Sequence, residues 1–236
     1  MRVGVIQSSY APWRGYFDFI VSVDLFIIYD NVRYSNRKGT WRNRNHVKTS
    51  RGLRWMTVPI SASGQPVIDE VCIVPSPKPW RNTHQTLLTE SLRAAPFFDD
   101  ALAIWREGTQ DSSGRLSPLN VQLIRTICRY LGIRTPIVDA RHYASSGAKT
   151  ERLIHLIKQA GATTYLSGPA ARDYLDESLF RENKIRLEYK SYDYSPYPQL
   201  WGEFEGAVTV LDLIANVGPE AAKHLRSRTP DVVAVP

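Results

Sequence analysis

Residues 2–30 read RVGVIQSSYAPWRGYFDFIVSVDLFIIYD, and their order decides the fold. A short apolar run, Arg2 to Ile6, stops at a glutamine, as a buried parallel strand does at its carboxyl end. WRGYFDFIVSV then carries apolar residues at helical spacing, and DLFIIYD is a second strand that closes on Asp30. Strand, helix and strand in this order form a βαβ unit, whose crossover is expected to be right-handed. The first connection is unusually furnished. It holds Gln7, Tyr10, a Pro12-Trp13 pair, Gly15, Tyr16 and Phe17, where an ordinary strand–helix turn needs only a cap.

The α/β cadence continues outward from this unit. RWMTVPI and DEVCIV read as two strands around a turn at Ser63-Gly64-Gln65-Pro66. From Pro75 the chain turns helical. SPKPWRNTHQTLLTESL has a proline-rich helix start, FFDDALAIWREG ends at Gly108, and SPLNVQLIRTICRYLG places Ser117 as N-cap, Pro118 at the first position and Gly132 past the end. The stripe Leu119, Leu123, Ile124, Ile127, Cys128 and Leu131 is a core face. A helix in TERLIHLIKQAG leads to the strand TTYLSG, RDYLDESLFREN is helical, IRLEYKSY is a strand and AVTVLDLIANVG a last helix. These readings give one α/β domain over residues 1–225, with a Rossmann-like, mainly parallel sheet flanked by helices and a helical insertion at 78–131. Residues 226–236 are expected to form a flexible tail.

Bulk properties narrow the function. A chain of 236 residues, 43% hydrophobic and 22% charged, has the composition of a globular domain with a sizeable core. No apolar run approaches the roughly 18–20 residues of a membrane span, so no membrane is expected. Cys72 and Cys128 sit in apolar runs without metal or disulfide spacing, which points to a reducing, cytoplasmic setting and against a covalent acyl-cysteine. The net charge is +7, and residues 31–54 hold eight basic residues (Arg33, Arg37, Lys38, Arg42, Arg44, Lys48, Arg51, Arg54) and no acid. Subtracting 8 from 7 leaves the rest of the chain at −1. One local cationic patch suits a phosphate-bearing ligand or an acidic carrier protein as well as it suits RNA.

Ligands of open α/β sheets bind beyond the carboxyl ends of the strands. Three such ends here are chemically loaded: Gln7 to Gly15, Asp30 to Arg44, and Ser167-Gly168. Gln7 offers a donor and an acceptor, Gly15 would let the backbone approach a ligand, and Trp13, Tyr16 or Tyr10 offer aromatic surface; Trp13 could also simply cover the sheet edge. Asp30 is either a general base or the ion-pair partner of Arg42 or Arg44. In the extended segment WRNRN, Arg42 and Arg44 would share one side and could clamp phosphate oxygens, with Asn43 and Asn45 on the other. His84 lies four residues after Trp80 on a helix and is a candidate base, or a core histidine. Tyr197, Gln199 and Asn216 are candidate polar pocket groups, and no ligand spacing for a metal is present. GxSxG, P-loop and GxGxxG motifs are absent.

IQSSYAPWRGYFDFI, DLFIIYDNVRY, WRNRNHVK and WMTVPI, followed in order by WRNTHQTLL, APFF, YLSG, YPQ and VLDLIANVG, resemble the WbqC-like family over nearly the whole chain. The chain departs at Gln7-Ser8, where the family usually has Gln-Pro, and it lacks the family's tyrosine near Ser91 and serine near Thr209. The resemblance implies an enzyme of bacterial O-antigen or specialised-metabolite biosynthesis that moves an acyl or aminoacyl group onto an amine. Its first unit is also similar in layout to HxGH nucleotidyltransferases, but PWRGYF replaces their histidines.

The expected function is therefore amide formation from a thioester donor, carried on phosphopantetheine or CoA, to a small-molecule amine. No tightly bound cofactor is expected, and an acyl or peptidyl carrier protein is the expected partner. Nucleotidyl transfer on a phosphate-bearing substrate and an RNA-binding module are the alternatives, and the concentration of charge in one patch disfavours nucleic acid.

Overall fold

The structure is a computed structural model and describes residues 1–35, 41–144 and 146–236. Strands β1 (Arg2–Ile6) and β2 (Leu25–Ile28) pair in parallel, Val3 opposite Leu25 and Ile6 opposite Ile28, with α1 (Arg14–Val21) between them in sequence. This is the βαβ unit read from residues 2–30. Gly4 lets α1 lie close on β1, because a Cβ there would come 2.3 Å from the Phe19 ring.

After β2 the chain leaves the main sheet. The hairpin β3 (Arg44–Thr49) and β4 (Gly52–Thr57) stands apart as an antiparallel pair, and so does the short ladder β5 (Ile60–Ser61) with β6 (Cys72–Ile73). The two strands expected in RWMTVPI and DEVCIV thus shrink to β4, β5 and β6 and never join the central sheet. Helices α2 (Trp80–Leu92), α3 (Phe98–Gly108) and α4 (Leu116–Tyr130) follow before the chain returns through β7 (Ile137–Asp139) to the edge beside β2. Then come α5 (Lys149–Gln159), β8 (Thr164–Ser167), α6 (Glu177–Glu182), β9 (Arg186–Tyr189), α7 (Val210–Val217) and β10 (Val232–Val235). The six strands run β10-β9-β8-β1-β2-β7, parallel except for β10, which pairs antiparallel with β9.

Alternation along the strands divides the core. Val3, Val5, Ile27, Tyr165 and Leu187 pack with Leu153, Ile154 and Ile157 of α5 and Phe180 of α6. Phe26, Ile28 and Leu166 pack with Phe17 and Phe19 of α1, Ile214 of α7 and the stripe of α4. Helices therefore cover both faces, the Rossmann-like α/β arrangement. The α4 stripe is buried from Leu119 through Leu131.

Three local expectations are corrected. Residues 226–236 are not a free tail, because β10 closes the sheet edge. Ser117 lies inside α4, whose N-cap is Arg115, and its hydroxyl serves Asp30 instead. Cys72 is exposed on β6, whereas Cys128 is buried and its thiol is pushed up to about 12 by burial. No helix among the described residues is long and apolar enough to cross a membrane.

Candidate functional site

The β1–α1 connection is held to the segment entering β3 by a network that leaves few polar groups of this loop unused. Arg42 Nη1 donates to the carbonyls of Gln7 and Ser8 at 3.1 and 3.0 Å and to Ser9 Oγ at 2.9 Å. Its Nη2 donates to Gln7 Oε1 at 2.7 Å. The Tyr10 amide donates to the carbonyls of Trp41 and Arg42, and Asn45 Nδ2 holds the Ala11 carbonyl at 2.7 Å. Ala11 itself sits in the left-handed region, φ 42°, which a side chain adopts only when its surroundings impose it.

Asp30 fastens this connection from beneath. It is 1% exposed, and its Oδ1 accepts from the Ser8 amide at 2.8 Å while Oδ2 accepts from Ser117 Oγ at 2.5 Å. Burial raises its pKa; the hydrogen bonds from Ser117 and Ser8 and the charge of Arg42 oppose that rise. Asn120 bridges the same layers, its Nδ2 donating to Ser8 Oγ and to the Arg42 carbonyl.

Between these two walls lies a cavity of about 300 Å³ lined by Ser9, Pro12, Trp13, Tyr16, Trp41, Asn45 and Ala207. Its surface is mainly aromatic, and the polar groups at hand are Ser9, Asn45 and the guanidinium behind Ser9. The Tyr16 hydroxyl donates to the Gln7 carbonyl at 3.1 Å, which ties the cavity to the end of β1. Gln7 is half-buried there. A guanidinium can only donate, so the Gln7 atom facing Arg42 is oxygen, and the amide NH2 is turned away without a partner among the described residues.

The expected site residues separate into those that converge here and those that do not. Trp13, Tyr16 and Asn45 line the cavity, and Gln7 and Arg42 stand immediately behind it. Gly15 makes room for Trp13: a Cβ would approach the indole to 2.3 Å. The indole also packs on Tyr192, with ring centroids 5.1 Å apart. Arg42 and Arg44 do not act as a pair. Arg42 precedes the strand in a bend and turns inward to buried carbonyls, while Arg44 lies over the Trp55 ring at 4.2 Å on the outer face of the hairpin. Arg37 and Lys38 of the cationic patch lie outside the described residues.

Tyr10 and His84 are corrected as well. Both are closed in, and the Tyr10 hydroxyl accepts from Trp105 Nε1 at 2.9 Å and meets His84 Nδ1 at 2.9 Å. His84 Nε2 lies 3.2 Å from the Thr57 carbonyl, which can only accept. Nε2 therefore carries the proton and Nδ1 accepts from Tyr10. Burial pulls the His84 pKa down to about 4, so the neutral ring is the resident form. Asp30 and His84 are thus both partnered and out of a ligand's reach, a physical bar to their expected role as base.

Tyr197, Gln199 and Asn216 gather around Asp212. Tyr197 Oη and Gln199 Nε2 donate to Asp212 Oδ1 at 2.7 and 2.8 Å, Asn216 Nδ2 donates to the Asp212 carbonyl, and Lys48 Nζ donates to Gln199 Oε1 at 2.9 Å. These bonds anchor the loop that brings Ala207 to the cavity. Ser167 is buried at the end of β8 with its Oγ 3.4 Å from Tyr165 Oη, and Gly168 follows it half-buried, apart from the cavity.

Ser9, Pro12, Trp41 and Ala207 were not among the expected residues. Pro12 and Trp41 flank quoted aromatic stretches and could have been read; Ala207 carries no sequence signal. Among the described residues no group of three or more His, Cys, Asp or Glu side chains is placed to hold a metal ion.

Comparison with known proteins agrees with this arrangement of motifs. The chain is 46% identical over 230 residues to a protein of Mycobacterium tuberculosis (strain ATCC 25618 / H37Rv) named uncharacterized protein Rv1507c, covering 95% of this chain and 97% of that one. No solved structure matches. A sequence model of the WbqC-like protein family matches residues 7–224, from the glutamine that ends β1 to the turn after α7, and the chain belongs to that family.

Proposed function

We propose that this protein is an amide-forming transferase, moving an acyl or aminoacyl group from a thioester to a small-molecule amine. One observation carries the reading: the Gln7 amide, its oxygen locked by Arg42 and its NH2 left without a partner among the described residues, stands at a strand end behind an aromatic cavity. A fixed neutral donor suits an oxygen that gains negative charge in the transition state and costs no reorganisation. The cavity's aromatic walls suit the apolar part of an acyl chain or acceptor.

In this mechanism the amine nitrogen attacks the thioester carbonyl, a C–N bond forms, and the carbonyl electrons move onto oxygen facing Gln7 Nε2. The C–S bond then breaks, and the leaving thiolate takes the ammonium proton as the free thiol. The proton balance closes on the leaving group, consistent with Asp30 and His84 serving as positioning residues. Asp30 sets the Ser8 amide, and His84 sets Tyr10 and, through it, the loop. Most of the acceleration then comes from bringing two reactants together in one orientation.

The test is mass spectrometry of purified protein incubated with aminoacyl-CoA or aminoacyl-phosphopantetheinyl carrier protein and a panel of amines. An enzyme-dependent amide together with free thiol is the expected result. Thioester consumption at the uncatalysed rate with every donor would overturn the reading. Pyrophosphate release from a nucleoside triphosphate would favour nucleotidyl transfer instead.

A further inference from the structure

Polar side chains on the wall of the aromatic cavity differ in what they have left to offer a ligand. Tyr16 uses its hydroxyl hydrogen on the Gln7 carbonyl at 3.1 Å. Asn45 gives Nδ2 to the Ala11 carbonyl at 2.7 Å and takes the His46 amide on Oδ1 at 2.7 Å. Ser9 is different. It is 6% exposed, lines the cavity, and its Oγ accepts from Arg42 Nη1 at 2.9 Å. A guanidinium has only hydrogens to give, so this bond occupies a lone pair and leaves the hydroxyl hydrogen uncommitted. Among the described residues no acceptor takes that hydrogen. Arg42 thereby turns a hydroxyl that can give or accept into a donor, and its charge strengthens the O–H in that role. The neighbouring Ser8 is fully buried and lines no part of the cavity.

The rest of the wall has the same sign. The lining residues include no carboxylate, and the indole N–H groups of Trp13 and Trp41 have no acceptor among the described residues. Asp30 offsets part of the Arg42 charge, but it is closed in by the Ser8 amide and Ser117. An ammonium entering the cavity would approach a cation behind Ser9 and meet no carboxylate on the wall. A carbonyl oxygen would meet a hydrogen-bond donor.

We propose that this cavity is the acyl site, where the Ser9 hydroxyl points inward to hold the donor's carbonyl oxygen, and that the amine approaches from outside it. This assignment rests on the transferase reading and says which of its two reactants the cavity holds. Ser9 is then a second donor, beside Gln7 Nε2, to the oxygen that gains negative charge. Both side chains have their acceptor atoms fixed by one guanidinium, so both are left with hydrogens to present. The apolar part of the acyl group lies on Trp13, Tyr16 and Trp41. Ser9 keeps its proton throughout and forms no covalent bond, so the balance of the amide-forming step is unchanged.

Tryptophan fluorescence titrations with a matched pair of ligands test the site, because Trp13 and Trp41 line it. S-butanoyl-N-acetylcysteamine carries the thioester carbonyl, and S-butyl-N-acetylcysteamine has a methylene in its place. Wild type is expected to bind the thioester about fivefold more tightly than the thioether, the scale of one neutral hydrogen bond, and butylamine more weakly than the thioester. Ser9→Ala is expected to bind the pair equally. Arg42 keeps the Gln7 and Ser8 carbonyls and Gln7 Oε1, so the melting temperature of this variant should fall by no more than a few degrees. Ser9→Cys, close in shape but a weak donor, should lose most of the preference and supplies the same comparison should the alanine variant not fold. A thioester preference that survives in both variants, equal binding of the pair by wild type, no binding of either, or tighter binding of butylamine would overturn the proposal. A carbonyl preference that depends on Ser9, in a protein that forms no amide with any donor, would overturn the transferase reading alone.

Discussion

Arg42 Nη2 donates to Gln7 Oε1 at 2.7 Å, while Nη1 of the same guanidinium holds the carbonyls of Gln7 and Ser8. One buried cation thus fixes both the course of the loop and the orientation of the one side-chain amide at the end of β1. The two functions separate in Gln7→Glu. A carboxylate keeps the contact with Arg42 and adds charge to it, so the melting temperature should not fall. The NH2 donor is gone, so amide formation should drop about 100-fold, the usual cost of one lost oxyanion donor. Stopped-time product assays beside a thermal melt check both halves.

The Trp13 indole and Gly15 are coupled by contact. With a Cβ 2.3 Å from the ring, Gly15→Ala should displace the indole from the cavity wall and cost about 1–3 kcal/mol, as overpacking does. In a Trp13→Ala background the added methyl meets no ring, and the same change should be close to neutral or slightly stabilising for its helix. A double-mutant cycle in urea measures the coupling. A cost for Gly15→Ala that is equal in both backgrounds would show that the ring is not its cause.

His84 should make stability fall in mild acid. Its folded pKa, about 4, lies below the ordinary 6.5, so the unfolded chain binds the proton more readily between these values. The histidine's contribution is therefore complete above about pH 6.5 and is lost as pH falls through 4, about 3 kcal/mol in all. The raised pKa of Asp30 acts in the opposite sense, since a buried carboxyl is favoured by protonation, so the total curve mixes the two. His84→Gln isolates the histidine. Glutamine offers an acceptor for Tyr10 and a donor for Thr57 but does not titrate. The difference between wild type and variant in urea unfolding should shift by that amount between pH 7 and pH 4.

The βαβ unit was legible because it is local: two apolar strands and one amphipathic helix lie within residues 2–30. The two walls of the cavity were legible too, since both are dense in aromatic and polar residues near a strand end. What failed was direction. Alternation placed Arg42 and Arg44 on one side, but Arg42 precedes the strand, and buried carbonyls of a distant loop drew it inward. His84 and Asp30 were chemically suited to act as bases, and only tertiary packing shows every polar atom of both already engaged. Ala207 reaches the cavity through the Asp212 network, a contact between segments far apart in sequence with no local pattern to announce it.

Residues 226–236 have the composition of a frayed end, yet Asp231 closes a buried charge cluster. Its Oδ2 accepts from Arg2 Nη2 at 2.6 Å, and its Oδ1 from Lys190 Nζ at 3.1 Å and the Ser191 amide at 3.0 Å. Lys190 also pairs with Asp18 at 2.9 Å, and both of those side chains are almost fully buried. Removing Asp231 leaves Lys190 one partner short where water reaches poorly, and a lone buried charge costs more than the bond it lost. Asp231→Asn should therefore cost about 1–3 kcal/mol. Truncation after Leu225 should cost more, because β9 also loses its antiparallel neighbour and becomes an open edge. Circular dichroism melts of the two variants check this, and a truncated protein that melts with wild type would show that the C-terminal strand contributes nothing.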